Sequence, residues 1–153
     1  MLNKLKLAII LILATITTIT YADIDPTSQV AVTAIVDTYV HAYEKQDSRA
    51  IANLYAQNGA MIDSKQMKVI NGRTNIMVAI KQIFRGNEGA TISAKLTHMD
   101  EKNNIVRASY LLTSQSQEQN GQLVRSTSRL VVALINQNNQ WKILKSELSP
   151  VSL

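Results

Sequence analysis

Two side chains in the stretch from Tyr39 to Ile83 are of the types that proton chemistry uses, a phenol at Tyr39 and a carboxylate at Asp63. A base must lie within hydrogen-bond reach of the proton it takes, and an oxyanion forming in a dry pocket needs a donor already in place. The carboxylate suits the first task and the phenol the second. Each residue also has a plainer reading. Tyr39 falls on the apolar side of its helix, where a core tyrosine would send its hydroxyl to a partner at a pocket edge. Asp63 ends a short apolar run, where a turn uses an aspartate equally well.

Other candidates divide in the same way. Tyr55 and Tyr110 suit either a pocket lining or ordinary packing, and Trp141 suits a ligand, the core or a subunit interface. Arg129 stands on an alternating strand whose face, inward or outward, is open, and Arg125 shares that strand. His41 falls off the apolar stripe and reads as solvated. His98 alternates with Ile92, Ala94 and Leu96, which puts it on a buried or dimer face as a structural histidine. With two histidines far apart and no cysteine, no transition-metal site of the nitrogen and sulfur kind is expected. Neither a Gly-rich phosphate loop nor a nucleophile elbow is present, and no cofactor is expected.

The elements that must position these groups follow from periodicity. Pro26-Thr27-Ser28 starts a helix whose Val32, Ile35, Val36, Tyr39 and Tyr43 recur at three- and four-residue spacing, ending near Gln46. Asp47 can cap a second helix, which Asn58-Gly59 would stop. Short strands are expected at Ala60 to Asp63 and Met67 to Ile70. After the Asn71-Gly72 turn a third helix carries Ile76, Ile80, Ile83 and Phe84 to Gly86. From Ala90 the period becomes two, with turns at Asp100 to Asn104, Asn120-Gly121 and Asn136 to Asn139. Helices first and antiparallel strands last is an α+β order.

The first residues are a separate matter. Lys4 and Lys6 precede an apolar run, and Thr20-Tyr21-Ala22 offers small residues where a signal peptidase reads them. Residues 1–22 therefore read as a secretory signal cleaved before Asp23, leaving a domain over residues 23–153. The apolar run is shorter than the roughly 20 residues a spanning helix needs. The expected product is soluble and periplasmic or secreted, without disulfides. Removing the signal takes away two lysines and no acids, so the +5 net charge drops to +3. The remaining positives are scattered, unlike the basic stripe of a nucleic-acid surface, and no nucleic-acid partner is expected.

The ordered marks Tyr39 to Asp47, Leu54-Tyr55-Ala56 leading to Ala60, Asn71-Gly72-Arg73, Arg125-Ser126-Thr127 and Trp141-Lys142-Ile143 resemble the nuclear-transport-factor-2-like (NTF2-like) superfamily. The likeness is to its SnoaL-like, domain-of-unknown-function-4440 and ketosteroid-isomerase-like branches. It implies a cone-shaped α+β fold in which three N-terminal helices pack in a curved, mixed and mostly antiparallel sheet. In ketosteroid isomerases the residue at the place of Tyr39 donates to the substrate oxyanion and that at the place of Asp63 moves the proton. That enzyme is a worked case of a carboxylate base beside an oxyanion hole. Its second acidic donor falls near Ser128, with Arg129 beside it, which argues against steroid-type isomerisation.

Three functions fit this likeness. One is a cone-shaped pocket for an apolar or weakly acidic small molecule. The second is an isomerase, cyclase or hydratase with Asp63 as base and Tyr39 as donor, and the third is a dimeric interaction module. Homodimerisation through the sheet is expected in each, because Leu123 to Ile135 carries apolar residues on both faces. The architecture alone does not choose among them.

Overall fold

The computed structural model describes residues 24–87, 89–117 and 121–151. The signal segment, its cleavage site and Asn120 of the expected hairpin turn lie outside them. Helix α1 (Pro26–Glu44) starts at Asp25, whose carboxylate accepts from the Thr27 amide at 2.8 Å. Proline is favourable in that first turn because its missing N–H has no intrahelical acceptor to lose. Val32, Ile35, Val36 and Ala42 of α1 are buried.

Helix α2 (Ser48–Asn53) is capped by Asp47, which accepts from the Ala50 amide at 2.9 Å. It ends well before Asn58-Gly59, and Tyr55 already opens strand β1 (Tyr55–Asp63). Gly59 serves a different purpose from stopping a helix. A Cβ there would stand 3.0 Å from the carbonyl oxygens of both Ala56 and Ile143. The glycine lets a bulged stretch of β1 approach its neighbour closely.

Strand β2 (Lys68–Asn71) returns antiparallel to β1, and Gly72, at φ 84°, caps helix α3 (Arg73–Arg85). Only Ile76, Ile80 and Phe84 of its apolar residues are buried, whereas Ile83 is 42% exposed. The third helix thus follows two strands, so the helices do not form one N-terminal block. Strands β3 (Thr91–Lys102), β4 (Ile105–Gln117), β5 (Leu123–Gln137) and β6 (Gln140–Pro150) complete the chain. Asn103-Asn104 and Asn138-Asn139 take positive φ, the backbone a tight two-residue hairpin demands. The strands consequently run right up to their turns.

The six strands lie in the order β2-β1-β6-β5-β4-β3. The β1–β6 pair is parallel and the other pairs are antiparallel, giving a mixed sheet. One face carries Val106, Ala108, Tyr110 and Leu112 of β4 with Leu130, Val132 and Leu134 of β5, and it packs against the helices as a single core. His98 is not on that face. The β3 register slips between Leu96 and His98, so Met99 takes the buried position and His98 is exposed, 3.4 Å from Asp100.

Candidate functional site

Two polar groupings sit on the helix side of the sheet. The deeper one joins α1, β1 and β6. Tyr55 and Ser146 are both buried, and their hydroxyls are 2.7 Å apart. The Tyr55 carbonyl is gripped by Arg73 of α3, whose Nε and Nη2 donate at 3.1 and 2.8 Å, and this fixes the start of β1. Tyr39 is half-buried as a residue, but its hydroxyl is at the desolvated end. Burial drives that phenol far above its ordinary range, with the Tyr55 and Tyr43 phenols adding to the effect. Burial pushes Tyr55 up to about 12 against the opposing pull of the Ser146 hydrogen bond. Both phenols therefore stay protonated at neutral pH and can act only as neutral hydrogen-bonding groups. The rings continue outward, Tyr39 over Tyr43 at 6.5 Å and Tyr43 edge-on to Phe84 at 5.2 Å.

The second grouping surrounds Asp63. Its Oδ1 accepts from the backbone N–H groups of Lys65 at 2.9 Å and Gln66 at 3.0 Å, which builds the β1–β2 turn. The same residue lines a cavity of about 350 Å³ between the end of α3 and the strands β1, β2 and β6. Met61, Ile70, Ala79, Ile83 and Leu148 give that cavity its apolar wall, and Gln66, Lys68, Gln82 and Asn87 join Asp63 as polar members. The turn uses only Oδ1 of the carboxylate, so Oδ2 is left over for the cavity.

Tyr39 is not part of that lining, and neither are Tyr55, Tyr110, Arg129 or Trp141. Tyr110 is buried on the helix side of β4, and Trp141 is half-buried against the core at the start of β6. Arg129 and Arg125 are exposed, and Arg129 alternates with buried Leu130, so it projects from the sheet face away from the helices. Ser128, between Leu112 and Pro150 in the register, shares the helix side with Leu130. Lys68, Ile70, Ala79, Gln82 and Leu148 were not singled out by the sequence reading. Lys68 had a usable signal, since a tight return after Asp63 places it directly across the ladder. Ile83 had another, an apolar residue that the core does not need.

No group of three or more histidine, cysteine or acidic residues able to hold a metal ion occurs among the described residues. No helix among them is long and apolar enough to cross a membrane.

Among solved structures, an NTF2-like protein with a cystatin-like fold from Novosphingobium aromaticivorans superposes with a TM-score of 0.71 at 14% identity, over 82% of this chain and 83% of that one. Aln2 from a Streptomyces species gives 0.72 at 15% identity, over 83% and 93%. A ketosteroid isomerase-like protein from Erwinia carotovora atroseptica gives 0.70 at 11% identity, over 84% and 100%. At these identities the likeness shows the fold alone. Residues 32–152 match the SnoaL-like domain, and the chain belongs to that family, the SnoaL-like branch of the NTF2-like superfamily. No curated protein matches it.

Proposed function

We propose that this SnoaL-like domain binds a small apolar or weakly acidic molecule in the pocket of a cone-shaped fold, at the end of α3 where Asp63 lies. The observation that carries the reading is the cavity of about 350 Å³ with six apolar residues in its lining and one carboxylate oxygen not used by the turn. That volume and that mix of a broad apolar wall with few polar groups are typical of small-molecule sites. The protein acts outside the cytoplasm after loss of residues 1–22, and it pairs as a homodimer through the sheet face opposite the helices.

Native mass spectrometry of the protein taken from its own periplasm tests this. A retained small molecule is expected in the wild type and not in Ala79→Trp, whose indole would fill the cavity. Wild-type protein recovered at its bare chain mass, with no bound molecule, would overturn the reading.

The spare Oδ2 also favours a second reading, an isomerase, cyclase or hydratase that uses Asp63 as its base. Tyr39 and Tyr55, on the helix side, would then act on more distant parts of a ligand, and Arg129, on the opposite face of the sheet, would not. Turnover of a model enone by the wild type and not by folded Asp63→Asn would support it, and equal rates would remove it.

A further inference from the structure

The wall of the Asp63 cavity carries two opposite charges that do not satisfy each other. Asp63 and Lys68 are direct partners across the antiparallel β1–β2 ladder, and both line the cavity. Directly opposed residues in such a ladder hold their Cβ atoms about 5 Å apart on one face. An ion pair would be the ordinary outcome. Among the described residues it is not formed, and the ion pair present is His98 with Asp100. The reason lies in the turn. The Lys65 and Gln66 amides hold Asp63 Oδ1 at 2.9 and 3.0 Å, which turns the carboxylate along the turn and leaves Oδ2 without a donor among the described residues. Lys68 is exposed, with its ammonium free to move at the rim.

Each simple ligand leaves one of these charges wrong. A plain anion placed against Lys68 would face the Asp63 carboxylate, and a plain cation on Asp63 would face the Lys68 ammonium. A neutral apolar molecule would strip water from the Asp63 carboxylate and replace none of its hydrogen bonds, which is costly for a charged group. A head bearing both charges on neighbouring atoms meets both at once. The rest of the lining, Met61, Ile70, Ile83 and Leu148, asks for a hydrocarbon or aromatic body behind that head.

We propose that the cavity takes a free α-amino acid with a large apolar side chain, its ammonium on Asp63 and its carboxylate on Lys68. This rests on the reading of the cavity as the ligand site and narrows its ligand to an apolar body whose head carries both charges. The amide groups of Gln66, Gln82 and Asn87 stand in the same lining to complete the head's hydrogen bonds.

Isothermal titration calorimetry with four probes tests the assignment: L-phenylalanine, N-acetyl-L-phenylalanine, L-phenylalaninamide and N-acetyl-L-phenylalaninamide. They share one ring and carry both head charges, the anion alone, the cation alone, or neither. The wild type should bind L-phenylalanine about tenfold more tightly than either singly charged probe, a ratio modest enough for a solvated rim. Asp63→Asn keeps an oxygen to accept from the turn amides, so it should fold. It should lose the preference over N-acetyl-L-phenylalanine and keep that over L-phenylalaninamide. Lys68→Met should do the reverse. If the doubly blocked probe binds as tightly as L-phenylalanine, the cavity is a ligand site but the amino-acid assignment is wrong. If no probe binds, the assignment falls as well, and the retained-ligand measurement decides separately whether the cavity holds anything.

Discussion

Removing one oxygen from the buried pair Tyr55 and Ser146 should destabilise the domain more than removing both. The two hydroxyls are 2.7 Å apart, and their residues are 1% and 3% exposed. Tyr55→Phe leaves the Ser146 hydroxyl dry and without that partner, and Ser146→Ala does the same to the phenol. A stranded buried hydroxyl costs about 1–3 kcal/mol, whereas replacing both partners by apolar groups is close to neutral. Each single variant should therefore lose about 2 kcal/mol, and the double variant less than either. For a domain of this size each kcal/mol lowers Tm by about 4 °C.

Trp141 is the chain's one tryptophan and is half-buried against the core, so its fluorescence reports urea unfolding directly. The four proteins of the cycle, measured at neutral pH, give the coupling from their midpoints and slopes. Penalties that simply add would refute the reasoning, because they would mean that the two hydroxyls are satisfied independently. Unchanged stability in either single variant would do the same.

Alkaline pH should unfold the protein by way of the same phenols. Tyr55 is raised from 10.0 to about 12, so the unfolded chain gives up that proton first. Its share of stability is complete below about pH 10, the unfolded value, and is lost as pH rises through the folded one. Urea midpoints measured up to pH 12 should fall for the wild type and fall less for Tyr55→Phe; parallel curves would count against it. Gly59→Ala should cost about 1–3 kcal/mol by overpacking, since its Cβ would meet two backbone oxygens at 3.0 Å; a melting temperature equal to the wild type's would show that the bulge can relax. Light scattering should give the mass of two chains at micromolar concentration, and Val131→Glu, on the sheet face away from the helices, should halve it. A one-chain mass for the wild type would end the dimer proposal.

The elements that local chemistry governs were the legible ones. Pro26 at the start of α1, Asp47 before α2, and the Asn71-Gly72 turn before α3 each act within a few residues, so the sequence states them directly. Alternation along β4 likewise sets Val106, Ala108, Tyr110 and Leu112 on one face, and all four are buried. What failed were readings that depend on strand register. His98 was carried to the wrong face by counting in twos through a slip that only pairing with β4 reveals. Gly59 looked like a helix stop because its true constraint, the carbonyl of Ile143, is contributed by a strand more than eighty residues later. Ile83 fits the stripe of α3 by spacing, yet the packed sheet leaves it at a cavity rim.

Register also sets the distance between the Asp63 turn and the buried hydroxyl pair. Counting by twos from Tyr55 reaches Asp63 after four steps, which sets them far apart along β1. The bulge contracts that interval, since Tyr55 to Ala60 on β1 spans only Ile143 to Lys145 on β6. Met61 then falls beside Ser146, the hydroxyl that Tyr55 bonds, and Asp63 falls beside Leu148. The Asp63 row is thus two residues, roughly 6.5 Å, beyond the buried hydroxyl pair. Two groups acting on a single reacting atom must each come within about 3 Å of it, and the rows are too far apart for that. If Asp63 served as a base, the Tyr55 phenol, held against Ser146, would accordingly lie out of reach of the atom that Asp63 deprotonates.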